Sequence, residues 1–118
     1  IGRSLVIGKP VAMMLLAKHA TVTIAHSRTK ELPELVKEGD IVIACVGRAQ
    51  MVDGAYFSSG QTVIDVGINF LDGKLVGDVA FDEAIETVEA ITPVPGGVGS
   101  VTTSVLCKHV IQAAEATL

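Results

Sequence analysis

The stretch Gly2-Arg3-Ser4-Leu5-Val6-Ile7-Gly8-Lys9-Pro10 decides how the rest of the chain is read. Gly2 and Gly8 permit tight backbone, Arg3 and Ser4 carry anion-binding groups, and Pro10 suits the first turn of a helix. An apolar run from Val11 to Ala17 follows directly. A glycine turn that opens into a helix N-terminus is a ready anion site, because unpaired backbone N–H groups point outward there. The question for the remaining residues is whether they complete a nucleotide-binding half-sheet around this turn. Leu5-Val6-Ile7 fits two descriptions: a short buried strand, or part of a long turn after a strand that ends near Gly2.

A chain of 118 residues is one domain, large enough for a single core. Apolar residues make up 49% and charged residues 19%, which excludes a disordered chain. The net charge of −4 argues against a nucleic-acid partner. No apolar run approaches the length of a membrane span, so no membrane partner is expected. Cys45 and Cys107 lie in apolar runs and form no C-x-x-C pair, and they read as buried, reduced thiols of a cytosolic protein. His19, His26 and His109 have no metal-ligand spacing, and no metal site is assigned. The chain starts at Ile1 with no Met and no lead-in to the glycine turn, and it reads as a fragment of a longer protein.

A helix is expected over roughly Pro10 to His19. It is apolar on more than one face through Val11, Met13, Met14, Leu15 and Leu16, more than a single sheet contact needs. Either a second domain or subunit covers the excess, or further residues of the same domain do. Thr21 to Ala25 reads as a β-branched strand, and Glu31 to Glu38 as a short helix with Pro33 in its first turn and Gly39 at its end. Ile41 to Val46 is continuously apolar, as a parallel strand buried on both faces would be. Met51 to Phe57 has room for one helical turn, and Thr62 to Val66 is another buried strand. Asp72-Gly73 marks a turn within an irregular excursion or small hairpin from Phe70 to Val79. Asp82 is the expected cap of a short helix to Val88, and Ala90 to Thr92 gives a last strand. A C-terminal helix is expected from Val101 to about Ala116, capped by Ser100. This alternation predicts right-handed βαβ units: an α/β, Rossmann-like parallel sheet with helices on both faces and most of its first strand missing.

The chemically loaded residues gather where these runs end, which is where open α/β sheets bind ligands. They are Gly2-Arg3-Ser4, His26-Ser27-Arg28, Gly47-Arg48, Gly67-Ile68-Asn69 and Pro95-Gly96-Gly97. The G-x-G-x-x-G spacing is not met. In a dinucleotide fold an acid roughly twenty positions beyond the glycine turn accepts the ribose 2′-hydroxyl and selects NAD. Here Ser27 and Arg28 hold that place, with no acid before Glu31. A hydroxyl and a guanidinium suit a 2′-phosphate, Arg3 can join them, and NADP is therefore expected over NAD. His26 reads as packing beside the cofactor or capping a loop rather than as a general base. Asp65, inside an apolar strand, reads as structural, and Asp78 as a turn residue. Pro93 to Gly99 combines two prolines with three glycines, a rigid backbone wall for a ligand.

The chain resembles the C-terminal, cofactor-binding domain of the bifunctional methylenetetrahydrofolate dehydrogenase/cyclohydrolase family. The resemblance rests on G-R-S-L-V-I-G-K-P (2–10), A-T-V-T-I-A-H-S-R-T (20–29), D-I-V-I-A-C-V-G (40–47), V-I-D-V-G-I-N (63–69), G-D-V-A-F (77–81) and I-T-P-V-P-G-G-V-G (91–99). It implies oxidation of 5,10-methylenetetrahydrofolate by hydride transfer to NADP, then hydrolysis of the methenyl product to 10-formyltetrahydrofolate. Gly2, Arg3, Ser4, Ser27 and Ile68 match the family's cofactor-binding positions, while Gly97 and Thr102 fall where loop and helix line the cofactor and folate side. It also implies that residues 3 to 9 are turn, that the protein is a cytoplasmic homodimer, and that a tetrahydrofolate derivative binds in a cleft with an N-terminal domain. The family's catalytic tyrosine and lysine belong to that domain, Tyr56 does not match the motif, and no catalytic residue is assigned here. Ser100-Val101 replaces the family's common Pro-Met, a departure that bears on contacts made from the methionine position. The competing readings are a non-catalytic nucleotide-binding module and the cofactor domain of another NADP-dependent dehydrogenase.

Overall fold

Ile41-Val42-Ile43-Ala44 and Thr62-Val63-Ile64-Asp65 are too short for stable helices and rich in β-branched side chains. Both are strands in the computed structural model, which describes residues 1–118. In chain order the elements are α1 (Gly8–Leu16), α2 (Leu32–Lys37), β1 (Ile41–Ala44), a 3-10 turn (Gly54–Tyr56) and β2 (Thr62–Asp65). There follow β3 (Asn69–Leu71), β4 (Lys74–Val76), α3 (Phe81–Ala84), β5 (Ala90–Ile91) and α4 (Val98–Thr117). The main sheet has the order β1-β2-β5, all parallel, with Ile41 opposite Thr62 and Thr62 opposite Ala90. Its core includes Val42, Ala44, Val52, Phe57, Val63 and Val79.

Ile1 extends this sheet beyond β1. Its carbonyl accepts the Cys45 N–H at 2.9 Å, and its amino group donates to the Ile43 carbonyl. On the other side the Gly2 N–H donates to the Ala25 carbonyl at 2.8 Å. The order across the layer is therefore Thr21–Ala25, Ile1–Gly2, β1, β2, β5. Residues 5 to 7 are turn, which settles the two descriptions of Leu5-Val6-Ile7.

Several expectations are corrected. Thr21 to Ala25 is not assigned as a strand, because only Gly2 reaches it with a backbone hydrogen bond. A groove of about 620 Å³ separates the rest of it from Ile41–Ile43. For the same reason β1 is not buried on both faces: Val42 and Ala44 are buried, but Ile41 lies at the groove and is 63% exposed. The first helix starts at Gly8 and stops at Leu16, with only Ala12 buried and Met13, Met14 and Leu16 exposed. Asp82 is not a cap: Ala80 precedes α3, and Asp82 lies in its first turn. Ser100 is not a cap either, since α4 begins at Val98 after Gly97 and Ser100 lies inside it. No residue of α4 is buried, so Cys107 is exposed rather than a core thiol. Cys45 is half-buried.

Other expectations hold in detail. Pro33 occupies the first turn of α2, and Asp72-Gly73 joins β3 to β4 in an antiparallel hairpin. Both turn residues have positive φ, 49° and 73°, the geometry that matches strand twist in a two-residue hairpin. No helix is long and apolar enough to cross a membrane.

Candidate nucleotide-binding site

Parallel strands place all their carboxyl ends on one edge of the layer. From Ile1 the chain leaves to Thr21–Ala25 on one side and comes back to β1 on the other, so the strand order reverses beside Ile1–Gly2. In open α/β sheets such a reversal opens a crevice at the carboxyl edge, where ligands bind. The Gly2–Ser4 turn lies at that point.

Glycine is required at both ends of the turn. Gly2 has φ +133°, and a Cβ there would overlap the Cys45 carbonyl and Sγ. A Cβ on Gly8 would overlap the Gly2 carbonyl, so the turn closes on itself before α1 starts. Ser4 Oγ accepts the N–H of Ile7 at 3.0 Å and of Gly8 at 3.4 Å, satisfying donors at the helix entrance. Its hydroxyl oxygen is turned to the backbone, which leaves its O–H as the group to offer an anion. Arg3 beside it is exposed.

The hydrogen bond from Gly2 to Ala25 sets His26-Ser27-Arg28 next to this turn. His26 Nδ1 accepts the Arg28 N–H at 3.2 Å, and the His26 N–H donates to Thr29 Oγ1 at 2.9 Å. The histidine thus caps its loop, as its position predicts. Ser27 and Arg28 are left exposed. The single ion pair of the structure joins Lys37 to Glu34, so the guanidinium groups of Arg3 and Arg28 are both uncommitted. Two free cations and two hydroxyl groups at a strand-order reversal fit a phosphorylated ribose.

The next strand end is held by Asp78, which is a buried anchor rather than the turn residue its sequence position suggests. Asp78 is fully buried. Its Oδ2 accepts the N–H of Val46 at 2.6 Å and of Gly47 at 2.9 Å, and its Oδ1 accepts the N–H of Arg48 at 3.1 Å. Asn69 Nδ2 donates to Oδ1 at 2.9 Å. Asp65, 3% exposed, fixes Asp78 in turn by accepting the N–H groups of Gly67, Asp78 and Val79 at 2.9–3.0 Å. This is the structural role expected of Asp65. The sequence signal for Asp78 is an acid between Gly77 and the apolar Val79-Ala80, but its three backbone partners lie 30 to 32 residues away. Burial pushes the Cys45 thiol up from its ordinary range, and the Asp78 charge adds to the shift.

Ile68 lies beyond β2 and is 65% exposed at the same edge. Thr92 Oγ1 accepts the Asp65 N–H at 2.9 Å and ties the Pro-Gly loop to β2. Gly97 is half-buried, and a Cβ there would overlap the Pro93 carbonyl; Gly96 has φ +94°. Thr102 stands apart, exposed on α4, with its hydroxyl donating to the Val98 carbonyl at 3.0 Å. Gly2, Arg3, Ser4, Ser27, Arg28, Ile68 and Gly97 thus share the carboxyl edge, and Thr102 follows one turn into the helix leaving it.

The family described as tetrahydrofolate dehydrogenase/cyclohydrolase, NAD(P)-binding domain, matches residues 1–118. The chain belongs to that family. Relatives include the bifunctional protein FolD 1 of Desulfitobacterium hafniense, 58% identical over 116 residues, and FolD of Carboxydothermus hydrogenoformans, 59% identical over 118. Each match covers 98% of this chain and 41% of the relative, so the chain spans well under half the length of these relatives. Among solved structures, the bifunctional FolD enzyme of Campylobacter jejuni superposes with a TM-score of 0.91 at 40% identity, covering 99% of this chain and 42% of its own. The Trypanosoma brucei enzyme, solved with NADP cofactor and an inhibitor, superposes at 0.81 with 43% identity over 91% of this chain and 39% of its own. The family's α/β, Rossmann-like architecture is the fold seen here.

Proposed function

We propose that this chain is the NADP-binding part of a longer, two-domain enzyme. That enzyme oxidises 5,10-methylenetetrahydrofolate to methenyltetrahydrofolate and hydrolyses the product to 10-formyltetrahydrofolate. The observation that carries the cofactor assignment is the reversal of strand order beside Gly2, with Arg3, Ser27 and Arg28 exposed around it and no acid in the ribose position. NADP supplies the hydride acceptor when bound. The residues of this chain bind and orient it. Arg3, Ser27 and Arg28 hold the 2′-phosphate with charge-assisted hydrogen bonds, the Ser4 hydroxyl and the Gly2 turn meet the adjoining phosphates, and Ile68, Gly97 and Thr102 line the nicotinamide and folate side.

The catalytic groups belong to the rest of the enzyme, and this part alone turns over neither substrate. The groove between Thr21–Ala25 and Ile41–Ile43 supports an extended segment preceding Ile1 that leads back to that domain. The exposed Met13, Met14 and Leu16 support burial of α1 against a second copy in a homodimer. The free thiols Cys45 and Cys107 suit the reducing cytoplasm.

Calorimetry of the complete protein tests the cofactor reading. NADP binds more tightly than NAD, and Arg3→Ala or Ser27→Ala weakens NADP about ten-fold, the effect of losing one charge-assisted hydrogen bond, while leaving NAD unchanged. Equal affinity for the two cofactors would remove the 2′-phosphate assignment.

A further inference from the structure

Three successive N–H groups, of Val46, Gly47 and Arg48, converge on the Asp78 carboxylate. Consecutive amides pointing into one concavity form an anion nest, the kind of site that elsewhere holds a phosphate. Here a protein carboxylate fills it from below. Gly47, at φ +72°, is exposed and has nothing within 4 Å of where a Cβ would be, so the outer face of the loop is open. The carboxylate itself is fixed from two directions. Asp65 accepts the Asp78 and Val79 N–H groups, and Asn69 donates to Oδ1 from the start of β3.

The glycines around this pair are as constrained as the acids. A Cβ on Gly67 would overlap the Asp78 carboxyl group, and a Cβ on Gly77 would overlap the Asp65 carboxyl group. Each carboxylate thus lies against the glycine beside the other, and neither can shift without displacing backbone. The loops following β1 and β2 are locked together as one rigid wall. Because the nest is already charged, a phosphate is repelled there and directed to the Arg3, Ser27 and Arg28 end of the crevice.

We propose that Asp78 is a positioning residue for cofactor binding. Through the Val46–Arg48 amides it sets the wall on which the cofactor lies, and by filling the nest it fixes which end of the crevice takes phosphate. The proposal rests on the NADP reading above.

The test is Asp78→Asn in the complete protein, compared with Gln61→Leu, which breaks a buried hydrogen-bond cluster at the far end of β2. The two readouts are NADP affinity by calorimetry and amide exchange at Val46, Gly47 and Arg48. Asp78→Asn is expected to weaken NADP at least ten-fold and to speed exchange at the three amides at least a hundred-fold. Gln61→Leu lowers the melting temperature to a similar extent but keeps NADP affinity within two-fold. Should Asp78→Asn not fold, Asn69→Ala removes one of the four bonds and weakens NADP by two- to five-fold. NADP affinity within two-fold of normal in Asp78→Asn, or in Asn69→Ala where Asp78→Asn does not fold, or an equal loss in Gln61→Leu, would overturn the proposal. An unaltered protein that does not bind NADP would overturn the functional reading as well, which separates the two failures.

Discussion

The two ends of β2, four residues apart, are each closed by a buried polar side chain, and the two do opposite work. At the amino end is Gln61, 2% exposed. Its Nε2 donates to the carbonyls of Val36 at 2.8 Å and Gly39 at 2.6 Å, and its Oε1 accepts the Ser58 N–H at 2.8 Å. At the carboxyl end, Asp65 and Asp78 accept only N–H groups. The chemistry follows from what each end presents. A helix terminus offers orphan carbonyls, so the amino end needs a donor and an amide serves both signs. The loops at the carboxyl end offer orphan amides, and a carboxylate satisfies several at once. The amino end is thereby sealed by a neutral group, while the carboxyl end is stiffened by charge and left open above Gly47. Closure and binding are segregated to opposite edges of one short strand.

Substitutions sharpen that contrast. The largest effect is expected from Asp78→Ala, which strands four donors, three of them backbone. It should lower unfolding free energy by about 3–5 kcal/mol, measured by urea denaturation. Gly77→Ala pushes a methyl group into the Asp65 carboxylate and should cost about 2–3 kcal/mol in the same assay, with NADP affinity falling as well. Gln61→Leu leaves the Gly39 carbonyl and the Ser58 N–H without partners, takes one of two donors from the Val36 carbonyl, and should cost about 2 kcal/mol without a change in affinity. If Gln61→Leu weakened NADP as much as Gly77→Ala does, the two edges would not be functionally separate. Ser27→Ala should be the mildest, within ~0.5 kcal/mol in stability, so that its effect on NADP reports binding alone.

The sheet was legible because β-branched runs such as Ile41 to Ala44 and Thr62 to Asp65 are governed by local pattern. So was the carboxyl edge of the sheet, since Gly2, Ser27 and Gly97 follow such runs. Residues whose role depends on remote partners were not legible. Asp78 binds amides 30 to 32 positions away, and nothing in Gly77-Asp78-Val79 states that distance. Ser100 had the chemistry of a cap, but Gly97 reaches the turn first and α4 starts there. Thr21 to Ala25 had the composition of a strand, but a strand needs a neighbour as well as a propensity, and only Gly2 reaches it.

The exposure of α4 has a consequence for cooperativity. Twenty residues make a rod of about 30 Å, and none of its side chains is buried. Most helices owe their persistence to a packed face, and an unpacked one rests on local propensity. Val101, Thr102, Thr103 and Val105 near its start are poor helix formers. The hydroxyls of Thr102, Thr103 and Ser104 bond back to carbonyls four residues earlier and give only local support. In this chain by itself, α4 should therefore fray as a separate unit. Its amides would exchange long before those of β1 and β2, which open only when the whole sheet does.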